Sequence, residues 1–152
     1  MTGAPITLSR IARRTPRATL RLAAFHATLL RHSRGRADRW FGSRLLLLET
    51  VGRASGLPRR AAVVYLPDGD DLVVVPANAG AVRPPSWWLN LRAAGEATVL
   101  LGRERRRVRP HVASGADRER LWRRFAAATP VNHYERRAGR ELPVVVLRRA
   151  LA

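Results

Sequence analysis

Ala61-Ala62-Val63-Val64-Tyr65-Leu66, Pro67-Asp68-Gly69-Asp70 and Asp71-Leu72-Val73-Val74-Val75-Pro76-Ala77 follow one another without a break. Two apolar runs of strand length, rich in β-branched side chains, flank a proline–aspartate–glycine turn. That combination reads as a β-hairpin with strands over 61–66 and 72–77. Upstream, Leu45–Val51 is another short apolar run and supplies a third strand. Downstream, Ser86–Ala94 reads as a short helix, with Ser86 at its cap after two prolines and Gly95 as its stop. Ala97–Leu101 and Arg107–Ala113 form a second hairpin around Gly102. Val108, Pro110 and Val112 alternate there with Arg107, Arg109 and His111, so one face is wet. Asp117–Ala128 is a helix with Leu121, Trp122 and Phe125 on its core side, ended by Thr129-Pro130, and Pro143–Leu147 is a last strand. About six short strands, with no repeated βαβ spacing, predict an α+β fold built on an antiparallel sheet or small barrel.

The chain has 152 residues, about one domain's worth, with 46% hydrophobic and 26% charged residues. From Pro16 to His32 the period is helical. Ala18, Leu22, Phe25 and Leu29 form an apolar stripe, and Arg10, Arg14, Arg17 and Arg21 extend along another face. Two readings compete: a surface helix docked on the core, and a basic helix in peripheral contact with anionic membrane. Gly35–Gly42 ends this pattern. The expected organisation is an N-terminal arm and basic amphipathic helix over 1–34, followed by one domain over 35–152. No apolar run approaches a membrane span, and arginines interrupt the first thirty residues, so the expected location is the cytoplasm, with membrane association as the second reading.

Zero cysteines exclude disulfides, thiolate metal sites and cysteine nucleophiles. His26, His32, His111 and His133 lack paired spacing with carboxylates, so no metal site is expected. Basic residues outnumber acidic ones by 29 to 11, a net charge of +18, and every basic residue is arginine. Such an excess attracts polyanions: nucleic acid, anionic lipid or a phosphorylated small molecule. Composition does not choose among them.

Gly52-Arg53-Ala54-Ser55-Gly56-Leu57-Pro58-Arg59-Arg60 joins two strands. Its glycines and proline suit a tight turn, Ser55 and exposed amides are donors, and the arginines are planar forks matched to phosphate or carboxylate. At the end of a core strand, Ala77-Asn78-Ala79-Gly80 lets a flat ligand approach the backbone. In Trp87-Trp88-Leu89-Asn90-Leu91 the adjacent tryptophans point to different sides of one helix, one into the core and one toward a pocket. Asp68, Asp70 and Asp71 read as solubilising turn residues, and Ser55 has no base beside it to make it a nucleophile.

Taken in order, Leu45 to Arg59, Tyr65 to Gly69, Ala77 to Gly80 and Trp87 to Leu91 resemble the deazaflavin-dependent nitroreductase and quinone reductase family, whose actinobacterial members use coenzyme F-420. The resemblance runs from about Arg39 to Leu147. It implies a split β-barrel related to FMN-binding oxidoreductases. It also implies that Arg53, Ser55, Gly56 and Arg59, with Arg60 in support, grip the coenzyme's phosphate and acidic tail. Ala77, Asn78, Ala79 and Gly80 would lie under the deazaflavin ring, with Trp87, Trp88 and Asn90 lining the same cleft. Tyr65 and Tyr134 fall where the family faces its pocket and its acceptor, and both are candidate proton donors. Ala54 stands where many members have lysine, Pro76-Ala77 where Ala-Ser is typical, and Asn78 is shared by part of the family.

The expected function is hydride transfer from reduced coenzyme F-420 to a small organic acceptor such as a quinone, a nitro compound or an enone. The alternatives are a deazaflavin- or FMN-binding protein without turnover, which Ala54 and Ala77 favour, and a non-specific nucleic-acid binder, which the charge favours. Scattered arginines and few stackable aromatics argue against specific nucleic-acid recognition. The sequence sets no oligomeric state.

Overall fold

Side-chain alternation decides which side of each strand is inside. The computed structural model describes residues 44–151, so the arm and helix expected over 1–34 lie outside the described residues. The strands are β1 (Arg44–Val51), β2 (Pro58–Asp68), β3 (Asp71–Val74), β4 (Ala97–Leu101), β5 (Glu104–Val112) and β6 (Val145–Arg149). The helices among the described residues are α1 (Ser86–Ala94), α2 (Gly115–Ala128) and α3 (Val131–Ala138), and a 3-10 turn spans Asn78–Gly80. The strands close into a barrel in the order β1-β2-β3-β6-β5-β4, and each described pairing is antiparallel.

One parity of each strand fills the barrel: Leu46 and Leu48, Val63 and Tyr65, Leu72 and Val74, Val99, Val108, Val145 and Leu147. Trp88 and Leu91 of α1 complete this core. The opposite parity of β3 and β6 makes a second one. There Val73, Val75, Val144 and Val146 are covered by Leu121 and Phe125 of α2 and by Val131 and Ala138 of α3. Both faces of these two strands are buried, which is why they read as unbroken apolar runs.

The hairpin expected around Gly69 is present, with Asp68 opposite Asp71 and Gly69 at φ +60°. Asp68 does more than solubilise the turn. Its two carboxylate oxygens accept a fork of hydrogen bonds from Arg120, at 2.9 Å each, and a third comes from Arg124, also at 2.9 Å. The Arg120 bond, reinforced by the charges of Arg120 and Arg124, holds the Asp68 carboxyl below the usual carboxylate range. In turn the Asp68 bond holds the Arg120 guanidinium protonated more firmly than usual. The hairpin is thereby tied to α2.

Some boundaries differ from expectation. The β1–β2 ladder continues to Val51 opposite Pro58, so Arg59 and Arg60 are strand residues facing Thr50 and Glu49. β5 likewise begins at Glu104 rather than Arg107, paired with Leu101. Ser86 is the first helical residue rather than the cap; Pro85 takes the cap position and contributes no side-chain hydrogen bond. Gly95 ends α1 at φ +74°, as its sequence suggests. α3 is an addition, framed by Pro130 and by Gly139 at φ +64°.

Candidate active site

The turn between β1 and β2 is held by short-range bonds. The Gly52 N–H donates to the Leu57 carbonyl at 2.8 Å and the Gly56 N–H to the Gly52 carbonyl at 2.7 Å. Ser55 Oγ accepts from the Leu57 N–H at 3.2 Å and from Arg59 Nη2 at 3.3 Å. A Cβ at Gly52 would stand 2.5 Å from Ser55 Oγ, so a larger residue there would displace the Ser55 hydroxyl.

The turn is also fastened from a distance. Asn90 of α1, only 5% exposed, accepts hydrogen bonds at Oδ1 from the Arg53 N–H at 3.1 Å and from Arg53 Nη1 at 3.0 Å. Asn90 therefore fixes both the backbone and the guanidinium of Arg53. Arg60 pairs with Glu49 at 2.8 Å, and the same carboxylate takes Arg105 at 2.6 Å. Arg60 thus shares one carboxylate with Arg105, and it stands with Arg53 and Arg59 at a cavity of about 420 Å³. Arg53, Ser55, Arg59, Arg60, Trp87 and Asn90 all line it, as do Thr50, Gly52 and Ser86.

A second cavity, of about 680 Å³, has no charged side chain in its lining. Val63, Val75, Phe125, Pro130 and Val131 line it, together with Ala77, Asn78, Ala79 and Tyr134. Trp87 lines both cavities. Trp88 is 5% exposed in the barrel core, so the two tryptophans divide between core and pocket.

The segment Asn78–Gly80 is backbone-strained. Asn78 and Ala79 have φ +48° and +51°, a region that residues bearing a Cβ avoid. The Asn78 side-chain amide donates to the Arg83 carbonyl at 2.9 Å and Arg140 Nε to the Val82 carbonyl at 3.0 Å, which together hold the loop in this shape. Gly80, expected beneath a ring, has another reason to be glycine. Its φ is +80°, and a Cβ there would meet the Tyr134 carbonyl oxygen and Arg137 Cβ at 3.0 Å each. The space beside it belongs to α3.

Gly56, Tyr65, Gly80 and Trp88 line neither cavity. Gly56 stands at the exposed tip of the turn with φ +69°. Tyr65, expected at the pocket, is 7% exposed in the barrel core. The sequence reading missed Thr50, whose burial ends the inner row of β1, and the Phe125–Val131 wall, whose signal was the Thr129-Pro130 break followed by Gly139. Among the described residues no three His, Asp or Glu side chains gather as a metal site, and no helix is long and apolar enough to cross a membrane.

A family model described as F420H(2)-dependent quinone reductase matches residues 23–149. The chain is 32% identical over 143 residues to an F420H(2)-dependent quinone reductase of Mycobacterium tuberculosis (strain H37Rv), covering 86% of this chain and 91% of that one. Among solved structures, an F420-H2 dependent reductase superposes with a TM-score of 0.60 at 24% identity, over 68% of this chain and 92% of its own. A chain described as a domain-swapped dimer superposes with a TM-score of 0.63 at 22% identity, over 88% and 99%. These two share the barrel fold.

Proposed function

The chain belongs to the F420H(2)-dependent quinone reductase family, and from that membership we propose that it passes a hydride from reduced coenzyme F-420 to a quinone seated in the apolar cavity. It is an oxidoreductase dependent on this deazaflavin coenzyme. The observation that carries the proposal is the pair of cavities, one lined by arginines and one by no charged side chain, sharing one wall, Trp87. Such a cleft suits a molecule with a planar ring at one end and a phosphorylated, acidic tail at the other.

The residues present fit the coenzyme. Arg53 and Arg59 offer charge-assisted, forked donors to the tail, and Asn90 keeps Arg53 aimed. Trp87, Ala77 and Ala79 offer flat, small surfaces to the ring. When bound, the reduced coenzyme supplies the hydride. A quinone that accepts a hydride also needs one proton to become the quinol, and the Tyr134 hydroxyl is the donor we assign. Phe125, Pro130 and Val131 keep water from the reacting faces, which favours transfer to the acceptor over side reactions. Residues 35–152 constitute the catalytic domain in this reading.

The test is steady-state oxidation of the reduced coenzyme against a panel of quinones, nitroaromatics and enones. Quinone-dependent turnover is expected. Tight coenzyme binding with no turnover on any acceptor would replace the proposal with that of a non-catalytic coenzyme-binding protein.

A further inference from the structure

The far wall of the apolar cavity is carried by a short helix. α3 has eight residues, of which Val131 and Ala138 are buried. A helix of two turns does not hold its shape in water by itself. Val131 and Ala138 are seven residues apart and lie on one line down the helix, so they seat α3 without fixing how it is rolled about its axis.

Two grips from α2 act beside that line. The Trp122 indole N–H donates to Asn132 Oδ1 at 2.9 Å. Arg118 pairs with Glu135 at 3.6 Å and with Glu141 at 3.1 Å, and its Nη2 donates to the Leu142 carbonyl at 3.0 Å. Glu135 in turn accepts the Leu142 N–H at 2.9 Å, so Arg118, Glu135 and Leu142 form one closed set of bonds. The Arg118 guanidinium stands 5.0 Å from the centre of the Trp122 ring, which joins the two grips. Asn132 and Glu135 are three residues apart and share one face of α3. Val131 and Tyr134, the residues immediately before them, line the apolar cavity. Successive helical residues point about 100° apart, so whatever fixes the direction of Asn132 and Glu135 fixes that of Val131 and Tyr134.

We propose that Trp122 and Arg118 are positioning residues for the acceptor: they set the roll of α3 and, through it, the aim of the Tyr134 hydroxyl. This rests on the quinone occupying the apolar cavity as described above. Neither Trp122 nor Arg118 lines either cavity, so both act through α3. Polar contacts at the surface contribute little to global stability. Their loss therefore shows in acceptor kinetics before it shows in melting.

The experiment compares wild type with Trp122→Phe, Asn132→Ala and Asn132→Asp. The first removes the indole N–H and keeps a ring in its place, the second removes the acceptor from the other side, and the third keeps an oxygen that can accept. The readouts are kcat and KM for one quinone, the coenzyme dissociation constant, the melting temperature, and amide hydrogen exchange over residues 131–138 without ligand. Trp122→Phe and Asn132→Ala are expected to lower kcat/KM for the quinone by about three- to tenfold and to speed exchange within α3. Coenzyme affinity should change by less than about twofold, and Asn132→Asp should behave as wild type. In a Tyr134→Phe background Asn132→Ala should cost less than it does alone, because the hydroxyl it aims is gone. Faster exchange in α3 with unchanged quinone kinetics would overturn the proposal, as would equal losses in quinone kinetics and coenzyme affinity. Wild type with no turnover on the quinone would remove the acceptor reading instead. Exchange then decides the grip alone: α3 as well protected in Asn132→Ala as in wild type would overturn it, and faster exchange would uphold it.

Discussion

The basic and apolar cavities share Trp87 but are assembled in different ways. The basic cavity draws its lining from residues 50–61 and 86–90, a strand end, a turn and one helix start. The apolar cavity draws on 62–64, 75–79, 85–87 and 125–134, which meet only when β2, β3, α2 and α3 have packed. The first depends on local turn geometry and one long-range clamp, Asn90 to Arg53. The second depends on the outer core. Substitutions should therefore separate coenzyme anchoring from acceptor chemistry and from stability.

Arg53→Ala removes a charge-assisted donor worth about 1.5–3 kcal/mol, so coenzyme binding should weaken by roughly 10- to 150-fold in a protein that melts normally. A fluorescence titration beside a thermal melt checks both halves. Gly80→Ala acts at the other end. The positive φ and the α3 contacts at 3.0 Å predict a loss of about 1–3 kcal/mol in unfolding free energy, measurable by urea denaturation. Coenzyme anchoring in the folded variant should be kept; equal damage to anchoring would show that the two cavities are not separable. Tyr134→Phe should lower kcat on quinones by about tenfold, with the coenzyme dissociation constant unchanged, if the hydroxyl supplies the proton. A fall in affinity instead of kcat would make Tyr134 a packing residue.

The smallest effect belongs to Asp68, which lines neither cavity. Its carboxyl is held below its ordinary value in the folded protein, so its contribution to stability is present above the unfolded value, about 4, and disappears as pH falls through the lowered one. Asp68→Asn should melt slightly lower than wild type at neutral pH, and the gap should close in acid. A gap that persists at about pH 2 would mean that the substitution acts through packing.

The two cavities also differ in how far they could be read from the chain. The Gly52–Arg60 segment carries its own turn chemistry, so Arg53, Ser55 and Arg59 were legible as a cluster of donors before any fold was known. The barrel strands were legible because both faces of β3 and β6 are buried, giving the runs Leu72–Val75 and Val144–Leu147. Tyr65 lies in the barrel core and lines neither cavity, a placement that family likeness alone does not fix. Gly80 makes room for α3, and a glycine that admits a neighbouring helix looks, in sequence, like one that admits a ligand. The Asp68 clamp was hidden because Arg120 and Arg124 lie 52 and 56 residues away.

The account turns on the claim that the coenzyme's charge is held in one cavity and its ring in the other. Paired salt titrations test this most directly, one with the complete coenzyme and one with the tail-less chromophore. Between about 50 and about 200 mM salt, affinity for the complete coenzyme should fall modestly, as expected for two or three charges partly screened by ions. The tail-less chromophore should bind with no such dependence. Identical salt dependence for both, or loss of the complete coenzyme as steep as that of a polyanion on the whole arginine surface, would contradict a tail anchored by Arg53 and Arg59.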